Sequence, residues 1–232
     1  MSTPVEAILF DKDGTLFDFQ KTWAAWVRDL IDQFADGDAQ VRAALCGVMG
    51  FDYGAVAFLP DSPVIAGTAG EQVALIRSVV PHLSEAQIRA ISRAAMGALV
   101  PVVVGDLAGL LARLAARGVR FAVVTNDGED EARRQIADQG LEAVFDVIIG
   151  YDSGWGGKPA PEGCLAAARA LGVDPRACVM VGDSTHDLDA GRAAGMRTVA
   201  VLTGVAGRAD LAPYADVVLD DIHGLAGLLG VA

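Results

Sequence analysis

The stretch AILFDKDGTLFD, residues 7–18, decides the fold of this chain. Four apolar residues are followed by Asp11 and Asp13, one residue apart, and then by Gly-Thr. A short apolar run closed by turn residues predicts a buried β-strand. Two carboxylates so close together repel each other, so this strand ends at an electrostatic cost. Residues at the ends of other strands are therefore expected to lie beside the two aspartates and to offset this repulsion.

From about residue 100 onward the chain alternates between strand-like and helix-like segments. Strands are predicted over residues 119–126, 145–150, 177–183, 197–204 and 215–220, and helices over residues 129–140, 161–172, 185–195 and 222–229. Continuous apolar strands between helices predict a parallel sheet with helices on both faces. Residues 5–11 supply one more strand, so we predict an α/β fold with a Rossmann-like core.

Residues 18–100 have a different pattern, with helical periodicity and no convincing strand. The helical segments cover residues 21–35, 39–50, 69–80 and 84–99. We therefore predict an all-helical domain over residues 18–100. It is inserted into a core made of residues 1–17 and 101–232.

Composition and charge exclude several classes of function. The formal net charge is −12, which disfavours a nucleic-acid partner because such binding needs Lys and Arg. Three widely spaced cysteines without a C-x-x-C motif predict neither a disulfide framework nor a zinc site. The N-terminus does not resemble a signal peptide, and no apolar run approaches the ~18 residues of a membrane span. We expect a cytoplasmic protein without a membrane partner, as a monomer or homodimer.

Polar side chains collect where the predicted strands end. Ligands of open parallel sheets bind at the carboxyl ends of the strands, so these residues are expected along one edge. They are Asp11 and Asp13 after the first strand, Thr125, Asn126 and Asp127 after the second, Lys158 in the loop after the third, and Asp183 with Asp187 after the fourth.

Three of these acids, Asp11, Asp183 and Asp187, come from distant parts of the sequence. A cluster of three carboxylates is costly without compensation, and a hard divalent cation removes the repulsion. Carboxylates with water suit Mg²⁺, which we predict as the cofactor.

The remaining polar residues are suited to a phosphate group. Thr125 and Asn126, with the neighbouring backbone amides, are predicted to hold phosphate oxygens. Lys158 is one of three lysines in the chain and supplies a compact positive charge for a transferring group.

Each motif alone also has a plain structural interpretation. DKDGT is compatible with an Asp-Gly turn, TND with a strand-ending turn, GKPAP with a solvated lysine in a loop, and GDSTHDLDAG with a capped helix carrying surface acids. A calcium loop is disfavoured, since it needs Gly at its sixth place and Glu at its twelfth, where this chain has Thr22. The occurrence of all four motifs in order, each at or just after a strand end, favours a single functional site.

Lys12, between the two aspartates, is not expected to be their counter-ion. Side chains alternate along a strand, so Lys12 should point away from both Asp11 and Asp13.

Taken together, the four motifs resemble those of the haloacid dehalogenase superfamily. DKDGT resembles the first motif, VVTN the second, GKP the third and VGDSTHD the fourth. The inserted domain resembles a C1-type helical cap, and the whole pattern is most similar to phosphoglycolate phosphatases and their sugar-phosphatase and mutase relatives.

This resemblance implies a role for each residue. Asp11 would be the nucleophile that forms an aspartyl-phosphate, and Asp13 would be the general acid and then the base. The metal would be held by Asp11, the backbone carbonyl of Asp13, Asp183 and Asp187, the last directly or through water. Thr125 and Lys158 would hold the phosphoryl oxygens, and Lys158 would also orient Asp11.

The implied function is Mg²⁺-dependent hydrolysis of a small phosphate monoester, with phosphoglycolate or a sugar phosphate as the substrate. A phosphomutase of the β-phosphoglucomutase type would share the same core residues, and a catalytically idle binding module is a third alternative. Dehalogenases and phosphonoacetaldehyde hydrolases are disfavoured, because they lack an acid at the place of Asp13. Lys21, the lysine of the insert, also lies too close to the first motif to form the Schiff base that the phosphonate enzymes use.

The insert is expected to close over the site and select the substrate, with hinges near residues 17–20 and 99–106. Its other basic residues are expected to be surface charges rather than ligands. These are Arg28, Arg42, Arg77, His82, Arg89 and Arg93.

Overall fold

The computed structural model describes residues 4–59, 62–66, 69–96 and 99–230. The strands in these ranges are β1 (Ala7–Phe10), β2 (Phe51–Asp52), β3 (Ala57–Phe58), β4 (Arg120–Val124), β5 (Val147–Ile149), β6 (Cys178–Gly182), β7 (Arg197–Val201) and β8 (Val217–Leu219). The helices are α1 (Phe19–Ala35), α2 (Ala39–Met49), α3 (Pro63–Ala66), α4 (Ala69–Val79), α5 (Glu85–Met96), α6 (Leu107–Ala115), α7 (Glu129–Asp138), α8 (Glu162–Leu171), α9 (Thr185–Ala193), α10 (Arg208–Leu211) and α11 (Gly224–Leu228), with a short 3₁₀ helix at Pro175–Ala177.

The contacts of the backbone divide the chain into two compact units. The first consists of Met1–Phe19 together with Val102–Ala232, and the second is Gln20–Pro101. The second unit is therefore an insertion between the first strand and the rest of the first unit.

The first unit contains a six-stranded sheet in the order β5-β4-β1-β6-β7-β8. All neighbouring strands are parallel, which confirms the predicted α/β fold. The chain builds outward from β1 to β4 and β5 on one side, and then to β6, β7 and β8 on the other. The order therefore reverses at β1 and β6, and this reversal is where open parallel sheets bind ligands.

Alternating side chains of β1 cover both faces of this sheet. Ile8 and Phe10 pack with the leucines of α6 and with Ile136 of α7 in one core. Ala7 and Leu9 face the opposite core, with small residues of α8 and α9. Because all four residues of β1 are buried, its sequence is continuously apolar rather than alternating.

The inserted unit is built largely from helices, with α2 packed on α4 and α4 on α5. The prediction of an all-helical insert is nevertheless wrong, because β2 and β3 form an antiparallel pair. Phe51 and Phe58 face each other across this pair with ring centroids 5.4 Å apart. Two-residue strands are too short to show an alternating pattern in the sequence, so this hairpin was not predicted.

The helix α6 was also not predicted, although it contributes much of the core. It begins after Asp106, whose carboxylate accepts a hydrogen bond from Gly109 N at 3.0 Å. None of the helices in the described ranges combines the length and the apolar character that crossing a membrane requires.

Leu110 provides a test of this core. It is fully buried in α6, so Leu110→Ala should lower the free energy of unfolding by about 2–5 kcal/mol, as measured by denaturant titration. Leu228→Ala is the matched control, because Leu228 is 43% exposed and its truncation leaves no cavity. Equal losses in the two variants would contradict the assignment of α6 to the core.

Candidate active site

Three carboxylates meet where the strand order reverses. Asp11 follows β1 and its backbone N–H donates to Val181 O of β6 at 2.8 Å, which holds it beside the end of that strand. One carboxylate oxygen from each of Asp11, Asp183 and Asp187 lies within 4.8 Å of the other two, and all three residues are buried. The structure thus brings together the acids that the sequence predicted as a cluster.

Lys158 lies inside this acidic cluster. Its Nζ is 2.5 Å from Asp11 Oδ1 and 2.5 Å from Asp187 Oδ1, and the residue is buried. One ammonium among three carboxylates leaves an excess of negative charge in a buried place. Buried carboxylate oxygens with excess negative charge are the donor set that a hard divalent cation prefers, so these residues fit such a cation.

Burial and the neighbouring charges change the proton affinities of these groups. Burial raises the pKa of Asp11 to about 7, against the opposing attraction of the Lys158 ammonium. The pKa of Asp183 is also raised by burial, and further by the carboxylates of Asp11 and Asp187. Burial alone would lower the pKa of Lys158, but its two carboxylate partners outweigh that effect and raise it. Lys158 is therefore a permanent cation at this site.

Asp187 is oriented by the start of α9. Its Oδ2 accepts hydrogen bonds from Ser184 N at 3.0 Å and Ser184 Oγ at 2.7 Å, which closes a capping box. Its other oxygen contacts Lys158. The helix cap and the lysine thus fix both oxygens of this carboxylate.

Asn126 supports the backbone of Lys158, a contact that the sequence did not predict. Asn126 Oδ1 accepts from Lys158 N at 2.7 Å, and Asn126 Nδ2 donates to Lys158 O at 3.0 Å. The Asn126 side chain therefore clamps the loop that carries the lysine, and its contact with phosphate oxygens stays a prediction. The buried hydroxyl of Thr125 accepts from Asp127 N at 3.1 Å and lies at the end of β4.

The expectation that Lys12 points away from both aspartates is wrong for Asp13. Lys12 Nζ donates to Asp13 Oδ2 and to Gln135 Oε1, and lies 3.2 Å from Asp127 Oδ2. The strand β1 ends at Phe10, so strand alternation does not extend to the side chain of Asp13. Asp13 keeps 19% of its side chain exposed, whereas Lys12 is fully buried.

A family model described as haloacid dehalogenase-like hydrolase matches residues 5–195. This chain belongs to the haloacid dehalogenase-like hydrolases. Among curated relatives, it is 32% identical to a probable phosphatase, IndB, of Dickeya dadantii, over 85% of this chain and 81% of that protein. It is 26% identical to the pyrophosphatase PpaX of Bacillus velezensis, over 98% and 97% of the two chains. It is 33% identical to the plasmid phosphoglycolate phosphatase of Cupriavidus necator, over 99% and 95%.

A solved structure titled as a putative β-phosphoglucomutase from Thermotoga maritima matches this hydrolase with a TM-score of 0.74. The match covers 97% of this chain and 99% of that one at 20% sequence identity. A likeness at this identity concerns the fold, so it does not favour mutase chemistry over hydrolysis.

Two residues that shape the hydrolase site, Thr203 and Gly204, were not predicted from the sequence. Thr203 Oγ1 donates to Gly14 O at 2.6 Å, and a Cβ added to Gly204 would overlap the carboxylate of Asp183. Gly14 has a φ of +85°, and a Cβ there would overlap the same carboxylate. Thr203 and Gly204 follow β7, so extending the search for strand-end residues to this strand would have found them.

Several basic residues of the inserted unit have acidic partners within that unit. Arg42 pairs with Asp32 at 3.0 Å and Arg77 with Glu85 at 3.0 Å, and all four side chains are partly or largely exposed. This agrees with the prediction that these two arginines are surface charges.

A divalent cation should stabilise this hydrolase, because it offsets the repulsion among the three carboxylates. At about 100 times its dissociation constant, a cation that binds only the folded state adds about 2.7 kcal/mol, which raises Tm by roughly 5–10 °C in a chain of this size. Differential scanning calorimetry with Mg²⁺ or with EDTA measures the shift.

Asp183→Asn should lose most of this cation-dependent shift. Asp189→Asn is the matched control, since Asp189 lies on α9 but outside the carboxylate cluster. A shift of equal size in Asp183→Asn and in the unchanged protein would exclude Asp183 as a ligand.

Proposed function

We propose that this chain is a Mg²⁺-dependent phosphatase that hydrolyses small phosphate monoesters through an aspartyl-phosphate on Asp11. The observation that carries the proposal is the contact of Asp11 with Lys158, inside a cluster of three buried carboxylates at the ligand-binding edge of the sheet. Two relatives named as phosphatases, which align with this chain over most of their length, support the proposal.

In the proposed reaction, a carboxylate oxygen of Asp11 attacks the phosphorus atom and the bond to the leaving alkoxide breaks. Asp13 donates its proton to the leaving oxygen, so that an alcohol departs. A water molecule then attacks the phosphorus of the aspartyl-phosphate while Asp13 accepts its proton. Inorganic phosphate leaves, and both aspartates return to their starting states.

The rest of the site positions the phosphoryl group and stabilises its charge. Mg²⁺, held by Asp11, the Asp13 carbonyl, Asp183 and Asp187, would supply positive charge beside the phosphoryl oxygens. Lys158 supplies a second positive charge that the helix cap of Asp187 and the clamp of Asn126 hold in place. Uncatalysed hydrolysis of phosphate monoesters is so slow that accelerations reach ~10²¹, and general acid catalysis contributes only ~10²–10⁴. Most of the acceleration must therefore come from nucleophile, cation and lysine together.

Phosphoglycolate and sugar phosphates are the proposed substrates, and inorganic pyrophosphate belongs in the same test because of the relative named as a pyrophosphatase. The proposed partner is thus a small phosphorylated metabolite. The role of the inserted unit in selecting it stays a prediction.

The protein should release inorganic phosphate from p-nitrophenyl phosphate in the presence of Mg²⁺, and EDTA should stop the release. A panel of phosphoglycolate, sugar phosphates and pyrophosphate, assayed by phosphate release, identifies the preferred class. Steady release without added bisphosphate rejects a phosphomutase. No turnover on any member by a folded, Mg²⁺-loaded preparation would refute the phosphatase proposal.

Asp11→Asn should lower kcat by roughly 10³-fold or more with the fold intact, because the amide is a poor nucleophile. Circular dichroism and thermal unfolding check the fold. Asp189→Asn is the control for removal of an acid from the same unit and should retain activity. Retained turnover in Asp11→Asn would exclude Asp11 as the nucleophile.

A further inference from the structure

Lys12 is a second buried lysine beside the site, and the reaction proposed above gives it no role. Fully buried lysines are rare unless they are paired. Lys12 has an exposed fraction of 0%, and its Nζ contacts oxygens of Asp13, Asp127 and Gln135. These three partners come from different parts of the fold: the turn after β1, the turn after β4, and α7.

The position of the Lys12 ammonium is fixed from the side of α7. Gln135 is itself fully buried, and its Nε2 donates to Glu131 Oε1 at 2.8 Å. This bond directs Gln135 Oε1 toward Lys12, where it accepts from Nζ. The Lys12 ammonium also lies over the ring of Phe17, with Nζ 5.8 Å from the ring centroid.

Asp13 and Asp127 are the partners of Lys12 that stay partly exposed, with 33% of the Asp127 side chain exposed, whereas Gln135 is fully buried. The Asp13 carboxylate follows the end of the strand rather than lying within it, and 19% of the side chain is exposed. A partly exposed aspartate has room for more than one rotamer, and holding a reacting group in one geometry lowers the entropic part of a barrier. The contact of Lys12 with Asp13 Oδ2 provides that restraint from a rigid base.

We propose that Lys12 is a positioning residue that holds the Asp13 carboxyl in the orientation needed to protonate the leaving group. The inference rests on the proposed function, in which Asp13 carries that proton. In this scheme Lys158 contacts the nucleophile Asp11, and Lys12 orients Asp13, which carries the proton.

The leaving group distinguishes this role from a purely structural one. An alkoxide is strongly basic and needs a proton as it departs, whereas p-nitrophenolate leaves without one. If Asp13 is no longer held in position, the hydrolysis of alkyl phosphates should therefore slow more than the hydrolysis of p-nitrophenyl phosphate. A general loosening of the fold would slow both substrates by the same factor.

The test compares Lys12→Met with the unchanged enzyme on p-nitrophenyl phosphate and on glycerol phosphate with Mg²⁺. We expect kcat/KM to fall by roughly 10²-fold for the alkyl ester and by less than about 10-fold for the aryl ester. Lys21→Met is the matched control, because Lys21 is an exposed lysine of α1. It should leave the ratio of the two activities unchanged.

Lys12→Met leaves two carboxylates without their cation, which destabilises the folded state. The second variant therefore combines Lys12→Met with Asp127→Asn, to remove one of those charges, and is compared with Asp127→Asn alone. A double-mutant cycle adds an independent readout: in an Asp13→Asn background, Lys12→Met should cause no further loss on p-nitrophenyl phosphate.

Equal losses on both esters, or an undiminished effect of Lys12→Met in the Asp13→Asn background, would overturn this inference while leaving the phosphatase proposal intact. A folded wild-type protein without phosphatase activity would overturn both. The two failures are therefore distinguishable in the same set of assays.

Discussion

The contact of Lys158 with Asp11 and Asp187 is the interaction on which the rest of the site depends. Three carboxylates within 4.8 Å of one another in a buried place repel strongly, and the ammonium at 2.5 Å from two of them offsets only part of that repulsion. Removal of the lysine side chain would leave the buried carboxylates without a compensating positive charge. The remaining negative charge is what makes the site suitable for a divalent cation.

Common structural features of the fold hold the carboxylates and the lysine in place: parallel strand ends, a helix cap and glycines. Parallel strands end at one edge of the sheet, and the reversal of strand order places the ends of β1 and β6 side by side. The capping box of α9 fixes Asp187, and the two hydrogen bonds of Asn126 fix the backbone of Lys158. Glycines at positions 14 and 204 leave space for the carboxylate of Asp183, which any side chain would occupy. The geometry thus comes from strand ends, a helix cap, glycines and short side chains that are held by hydrogen bonds.

Two of the three lysines in this acidic chain are buried beside the first motif, and they face different aspartates. Lys158 contacts Asp11, and Lys12 contacts Asp13. Asp11 and Asp13 each have a separate cation beside them, which offsets the repulsion between the two carboxylates of the DKDGT stretch. The fold also places the two aspartates in different surroundings, which suits the two roles proposed for them: Asp11 lies in the charged cluster, whereas Asp13 stays partly exposed.

The sequence by itself determined the parallel α/β core, the family, and which acids gather at the sheet edge. Each strand end can be recognised from the residues around it, and parallel strands all place their carboxyl ends at the same edge of the sheet. The sequence did not determine the hairpin of the insert, since two-residue strands carry no periodicity. The partners of Lys12 and the role of the Asn126 amide were also decided only by the tertiary structure. Gln135 lies 123 positions from Lys12, and Lys158 lies 32 positions from Asn126, so no local pattern links them. Which oxygen a buried ammonium or amide meets depends on how helices and loops pack, and packing joins residues that the chain keeps apart.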